Sequence, residues 1–467
     1  MSAINTNVSS LISQRVLGRN NDQLNKSLQR LSTGLKINSG ADDPAGLIAS
    51  ENLRAEKVGI STAINNAERA SNIIGTAEGG LNEVSSLLTE LQGLLGQAAN
   101  SGGLSAEEVA ANQLQADSIL STINRIAQST AFQGKKLLNG NNDYTTSSVG
   151  TSTVQNLRVN SARVADGAAT TVVVQVVTSA QTGVLTYTGG TVTGATVTLE
   201  VSGANGTEQL SFASGSTVSS VATAINAVKT ATGVSASIVG GNLQVNSSTY
   251  GASQFVGLKA LTGTFSLSSN KDYGRDAAVT VNGAAAQTDG LKVSYRSSNL
   301  DVEFDLATAV NVGNASKTFA VTGGGATFAL GSKVTETDKA SIGIASVSTG
   351  SLGDSTVGFL STLNSGGANS LTGDNLTGAQ KIVDKAIKQV SQIRGRLGAF
   401  QKFTIGSTVN SLGVAFENAS AAESAIRDTD FASETAQLTR AQILSQAAST
   451  VLSQANSAPQ AALRLLQ

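Results

Sequence analysis

Histidine, cysteine and tryptophan are missing from this sequence, and proline occurs only at Pro44 and Pro459. Without His or Cys the chain has no thiolate nucleophile, no imidazole acid–base pair and no Cys/His zinc site. It forms no disulfide, which suits a chain that passes into an oxidising space, although many cytosolic chains share the trait. Aromatic residues make up 4%, so any core is built from Leu, Ile, Val and Ala within a hydrophobic fraction of 40%. The formal net charge of −1 supplies neither a basic surface for nucleic acid nor an acidic tail for a basic partner. No apolar run is long enough to span a membrane. Met1 to Gly18 lacks a charged n-region and a continuous apolar h-region, so no cleavable signal peptide is expected.

The 467 residues suggest two to four domains and divide by composition into three parts. The ends, to about 139 and from about 371, are rich in Leu, Ile, Ala, Gln, Asn and Ser at helical spacing. In the first, Ile4, Val8, Leu11, Leu17, Leu24, Leu28, Leu31 and Leu35 form a stripe. Gly34 and the 38–40 stretch interrupt it, and Pro44 suits the start of a new helix, where its missing N–H is not needed. Ile60, Ala67, Ile74, Leu81, Leu88 and Leu95 then recur every seventh residue, a seam that Gly102 and Gly103 end. Ser105 to Glu108 has the form of a capping box before a third helix with Leu114, Ile119, Ile123 and Ile126. At the other end, Ile382, Ala386, Val390, Ile393, Leu397 and Phe400 step by four and three. Ser420 to Glu423 has the form of another capping box, and after Asp430 a last helix carries Leu438, Leu444, Ala448, Val451, Leu452 and Ala455.

Between them, about 140–370 is dominated by Thr, Ser, Gly, Val and Ala. Val172 to Val177 is a short run of mostly β-branched residues, and Val197, Leu199 and Val201 alternate with polar neighbours as in a half-buried strand. Val218, Val221, Ile225 and Val228 switch to helical spacing before Leu243 and Val245 resume the strand period. The expected fold is therefore α+β and multidomain. Long N- and C-terminal helices pair as a coiled coil or bundle, and a β-rich, mixed α+β insertion lies between them.

An amphipathic helix most simply packs inside its own subunit, and the seams 60–95 and 382–400 are expected to do so. The outermost helices have little nearby in sequence to cover their stripes. Burying a Leu-sized side chain is worth roughly 1.5–3 kcal/mol, so uncovered stripes favour association with neighbours. On periodicity alone a closed bundle and self-assembly both remain open.

Residues 31–50, LSTGLKINSGADDPAGLIAS, resemble the N-terminal signature of bacterial flagellins. Residues 425–466, AIRDTDFASETAQLTRAQILSQAASTVLSQANSAPQAALRLL, resemble the C-terminal arm of the same family. NTNVSSLI at 5–12 fits its opening, and FQGKKLLNG at 132–140 resembles the passage from helix into a β-hairpin. A further stretch at about 196–268, with 217–232 as its helix, resembles the insertion motif of flagellins and hook-associated proteins. The resemblance implies a filament subunit for swimming motility, exported unfolded through the flagellar type III route without a cleaved signal. Its implied partners are copies of itself, an export chaperone, the filament cap and hook-associated proteins.

Carried onto this chain, the resemblance implies an N-terminal arm and spoke at 1–43 and wall helices at 44–139. The variable outer insertion takes 140–370, a C-terminal wall helix 371–419, and a second spoke and arm 420–467. Leu24, Leu28, Leu31, Leu35, Leu438, Leu444, Val451 and Leu452 would line an inner tube. Ile60, Ile74, Leu81, Leu88, Leu95, Ile382, Val390, Ile393 and Leu397 would form the wall seam. A hook–filament junction protein, or an adhesin carried by the insertion, are the alternatives. The C-terminal SQANSAPQAALRLL is closer to filament flagellin than to the junction protein. Many flagellins carry an arginine-containing motif read by a vertebrate innate immune receptor. Here Leu94 matches it, but Glu90 stands where the arginine is expected and Gln115 where an acidic residue is. Reversing a charge at a desolvated contact is costly, so weak or absent receptor activation is expected.

Catalytic, cofactor and metal sites are not expected. The HExxH motif of metalloprotease-bearing flagellins needs histidines this chain lacks. Gly323 to Gly325 has no following Lys, and the Gly-Lys pair in 133–136 lacks the upstream glycine of a phosphate loop. Asp42 and Asp43 fit a turn into a helix N-terminus better than a metal site, and NGNND at 139–143 fits a hairpin turn.

Overall fold

A computed structural model describes residues 6–464 apart from 101–102, 148, 151, 165–167, 190, 193–195, 268 and 374. Ile4, Gly102 and the last residues of the C-terminal signature lie outside the described residues. The chain is helical at both ends and β-rich in the middle. It forms two compact units: Met1–Arg69 with Ala329–Asp338 and Ile405–Gln467, and Ala70–Phe328 with Lys339–Thr404.

Helix α1 spans Val8–Thr33 and α2 spans Pro44–Ala98. Asn7 caps α1 by accepting from the Ser10 N–H, and Gly34 ends it in the left-handed conformation at φ 74°. Helix α3, Ala106–Ser129, opens on the expected capping box, with both bonds between Ser105 and Glu108 formed. Ile60, Ile74, Leu81, Leu88 and Leu95 of α2 are all buried. In the second unit, which holds Ile74 to Leu95, Ile119, Leu120 and Ile123 of α3 are buried as well, while Leu114 is exposed. Helix α5, Leu376–Ala399 (α4 lies in the insertion), buries Ile382, Val390, Ile393 and Leu397 as its four-three spacing demands. Gly80 of α2 sits where a Cβ would come 2.7 Å from Thr130 Oγ1, which shows how closely α2 packs on the chain leaving α3.

A π-helical stretch, Phe400–Gly406, leads into helix α6, Ser407–Arg427, and α7 spans Phe431–Arg464. The capping box expected at Ser420 is absent, because α6 runs unbroken through it. Glu423 does not reach back to cap a helix start; its carboxylate pairs with Lys57 Nζ at 2.8 Å. Helix α6 thus continues past 419, and the connection to α7 is confined to 428–430.

The insertion contains two β-layered cores, one nested in the other. The outer pairs a five-stranded sheet, containing Thr170–Thr178 and Ser316–Gly324, with a four-stranded sheet containing Lys292–Arg296, Leu300–Leu306 and Val154–Ala162. Val172, Val174, Val176, Val302, Phe304 and Phe319 fill it. Val173 and Val177 in the same run are exposed, so this strand is half-buried and not wholly apolar in its surroundings. Thr170–Thr178 pairs with Ala278–Val281, and the intervening chain leaves and returns past the bridge Gln181↔Arg275. That chain builds the second core: Val197–Gly203 and Asn242–Ser247 in two small sheets, closed by helix α4, Val218–Ala227. Its helix is shorter than the expected 217–232, since Val228 breaks it before the single turn Lys229–Thr232.

Candidate assembly surface

Helices α1 and α7 pack antiparallel within the first unit. The Asn7 amide donates to the Ala455 carbonyl at one end, and Arg30 reaches Glu434 at 3.4 Å at the other. Along α1 the residues turned inward are Ser10, Ser13, Leu17, Asn20, Leu24, Ser27 and Leu31. Along α7 they are Glu434, Leu438, Ala441, Ser445, Ala448, Leu452 and Ala455. Both series alternate steps of three and four, the heptad spacing of a coiled-coil seam. The seam is nevertheless made mostly of small and polar residues. Ser10 Oγ bonds Asn456 at 2.7 Å, Ser445 Oγ bonds Asn21 at 2.7 Å, and the Asn20 amide donates to the Leu444 carbonyl at 3.1 Å.

Eight further apolar side chains lie outside the seam. Val8, Leu11, Ile12, Val16 and Leu28 on α1 are exposed, as are Ile443, Leu444 and Val451 on α7. The residues expected to act together therefore divide. Leu24, Leu31, Leu438 and Leu452 are half-buried in the seam, whereas Leu28, Leu444 and Val451 are not part of it. Leu35 falls beyond the end of α1, where it bridges Asp428 in a short antiparallel contact. Periodicity alone does not separate the two groups, because nine of the fourteen inward positions are Ser, Asn, Ala or Glu and carry no hydrophobic signal. Each exposed side chain has about half its burial still to gain, or about 1 kcal/mol. Eight of them give on the order of 8 kcal/mol.

The segment joining α1 to α2 is ordered by its own polar groups. Lys36 N–H donates to the Arg427 carbonyl at 2.7 Å, and Thr429 N–H donates to the Gly34 carbonyl at 2.9 Å. Asp42 accepts from the backbone N–H groups of Asn38 and Ser39 and pairs with Lys26 at 2.7 Å. The Lys26 ammonium, helped by the Ser39 hydroxyl and the two N–H groups, holds the Asp42 carboxyl well below the usual carboxylate range. Asp43 accepts from the Gly46 N–H at the start of α2. Both acids thus have structural partners, and among the described residues no cluster of acidic side chains is arranged to hold a metal ion. No helix among them is long and apolar enough to cross a membrane.

Of the three receptor-equivalent positions, Glu90 and Gln115 are exposed but Leu94 is 6% exposed and belongs to the helical core. Leu94 is accordingly not available as a surface contact in this subunit.

These features define a class of subunit: helical ends paired through a polar seam, with apolar stripes left uncovered and a β-rich insertion between. Models of the bacterial flagellin N-terminal helical region match residues 4–143, and of the C-terminal helical region residues 380–466. The flagellin hook IN motif matches residues 198–249. Flagellin D of Vibrio anguillarum is 31% identical over 471 residues, covering 99% of each chain. Polar flagellin F of Vibrio parahaemolyticus is 30% identical over 468 residues, again covering 99% of both. Among solved structures, FliC from Burkholderia pseudomallei aligns at 16% identity over 71% of this chain and 99% of that one, with a TM-score of 0.24. The chain belongs to the bacterial flagellins. It is a structural subunit of the flagellar filament, an extracellular assembly, and the junction-protein and adhesin alternatives are not favoured.

Proposed function

We propose that the exposed stripes of α1 and α7 are the surfaces through which sister subunits hold the filament together. Val8, Leu11, Ile12, Val16, Ile443, Leu444 and Val451 are covered by neighbouring copies, and Leu28 joins them. Leu24, Leu31, Leu438 and Leu452 join the two arms to each other, and 34–46 with 428–430 carry the arms on the wall helices. The single observation that carries this reading is that the helices give most of the positions between them to Ser, Asn, Ala and Glu and leave eight Val, Leu and Ile side chains outside. A protein that ended as a monomer would place them the other way round.

The subunit is not an enzyme in this reading. It leaves the cell by the flagellar export route, and an export chaperone, the filament cap and hook-associated proteins handle it on the way. Its receptor activation is weak, because Glu90 replaces the expected arginine. Removing residues 1–35 or 429–467 and examining the product by electron microscopy tests the assignment. Loss of filaments from both truncations is expected; normal straight filaments from either would overturn it.

A further inference from the structure

The second unit contains a cleft of about 350 Å³ beside helix α5, bordered by the strand Val154–Ala162, its sheet neighbours and the turn at 351–359. Four cations line it, Arg158, Lys292, Lys385 and Lys388, together with the carboxylates of Glu303, Asp305 and Asp354. Two of these carboxylates are already committed. Asp354 pairs with Lys385 at 2.6 Å and accepts from the Thr356 and Val357 N–H groups, and Asp305 accepts from the Asn156 amide at 2.7 Å. Glu303 remains, and Lys292 approaches it only to 4.0 Å.

The cations are less well provided for. Lys388 is exposed and has no ion pair among the described residues. Arg158 is half-buried at the cleft wall, where burial pulls its guanidinium below the ordinary range against the opposing pull of Glu303, Asp143 and Asp354. Phe359, with 37% of its surface exposed, adds an accessible aromatic ring to a wall that also includes Leu157 and Phe304. The volume falls at the low end of the roughly 300–1,000 Å³ of small-molecule sites. An inorganic anion would leave most of that space empty and make no use of the ring, while an apolar ligand would strand the charges.

We propose that this cleft binds an acidic sugar of the uronic-acid type, its carboxylate taken by Lys388, Lys292 and Arg158 and its ring laid against Phe359. Charge-assisted hydrogen bonds fix the carboxylate, and the ring's C–H face meets the aromatic surface. All the groups required come from one chain, so the monomer is competent, and the site does not depend on the assembly surface proposed above.

Digalacturonate titrated into the full-length monomer, followed by calorimetry at low salt, tests this. Saturable binding is expected, with Lys388→Glu and Lys292→Glu each weakening it by about tenfold and the distant Lys317→Glu leaving it unchanged. Both substitutions are at surface lysines, and circular dichroism verifies that the variants fold. Four outcomes would overturn the proposal: no saturable binding, equal loss with Lys317→Glu, equal affinity for inorganic phosphate, or binding that appears only in the polymer.

Discussion

Replacing Leu11 by Asp separates the stability of the subunit from the stability of its polymer. Leu11 is 57% exposed on α1, on a face that α7 does not cover. In the monomer the new carboxylate faces water. The cost there is limited to helix propensity, about 0.5 kcal/mol. In the polymer two terms are added. The burial still available to a Leu that is already partly covered, about 1–1.5 kcal/mol, is forfeited. A carboxylate left without a partner then costs a further 1–3 kcal/mol. The sum is about 3 kcal/mol, or roughly a hundredfold in critical concentration. Seeded polymerisation followed by pelleting reads the critical concentration, and thermal unfolding of the dilute monomer reads the other half. A variant that polymerises at the wild-type concentration, with the monomer unchanged, would show that the stripe stays outside the subunit contacts.

Three further outcomes are expected. Gly46→Ala places a Cβ 2.6 Å from Cδ1 of the buried Ile37, so the usual gain of about 1 kcal/mol from Ala in a helix is reversed to a loss of about 1–2 kcal/mol, seen as a lower thermal midpoint. Asp42 has a folded-state pKa below its unfolded value, so its contribution is present above about pH 4 and is lost as pH falls towards the folded value; Asp42→Asn removes that contribution at pH 7 and flattens the acid limb of urea-unfolding curves. The Asn226 amide both donates to and accepts from the backbone of Ala236 on the outer strand Val234–Val239, standing in for a neighbouring strand; Asn226→Ala should cost about 1–3 kcal/mol and promote edge-to-edge association visible by light scattering.

How much of this was legible in the sequence differs from element to element. The α2 seam from Ile60 to Leu95 was readable because one face of a long helix is buried throughout, so period and burial coincide. The Ser105 capping box was readable from four residues because its bonds are local. The same pattern at Ser420 misled, since Ser-x-x-Glu also occurs inside helices and only the tertiary partner Lys57 decides what Glu423 does. The stretch at about 196–268 was readable as an insertion motif, but its nesting was not: Thr178 and Ala278 pair across the whole intervening subdomain, and no local signal announces such a register. The cleft beside α5 was missed for a similar reason, since Arg158, Lys292 and Lys388 come from three distant stretches.

The composition of the α1–α7 seam has a physical consequence beyond the placement of any one residue. A Leu-lined seam would bind the two arms strongly but would tolerate sliding by a heptad. Hydrogen bonds such as Ser10 to Asn456 and Asn20 to the Leu444 carbonyl are satisfied in only one alignment, and a shift would leave them broken in a partly desolvated place. Polar seams therefore specify register at low net stability, since each such bond contributes only about 1 kcal/mol. The apolar free energy is held back in Val8, Leu11, Ile12, Val16, Ile443 and Val451. In the assembly proposed above it is released only when another copy arrives to cover them. Arms that are correctly aligned but weakly joined favour a subunit that commits to its final packing at the growing filament and not before. A seam variant with Leu in place of both Ser10 and Ser13 should reverse that order, with the arms of the dilute monomer gaining protection from amide exchange. Unchanged exchange in that variant would show that the arms are already held by something other than this seam.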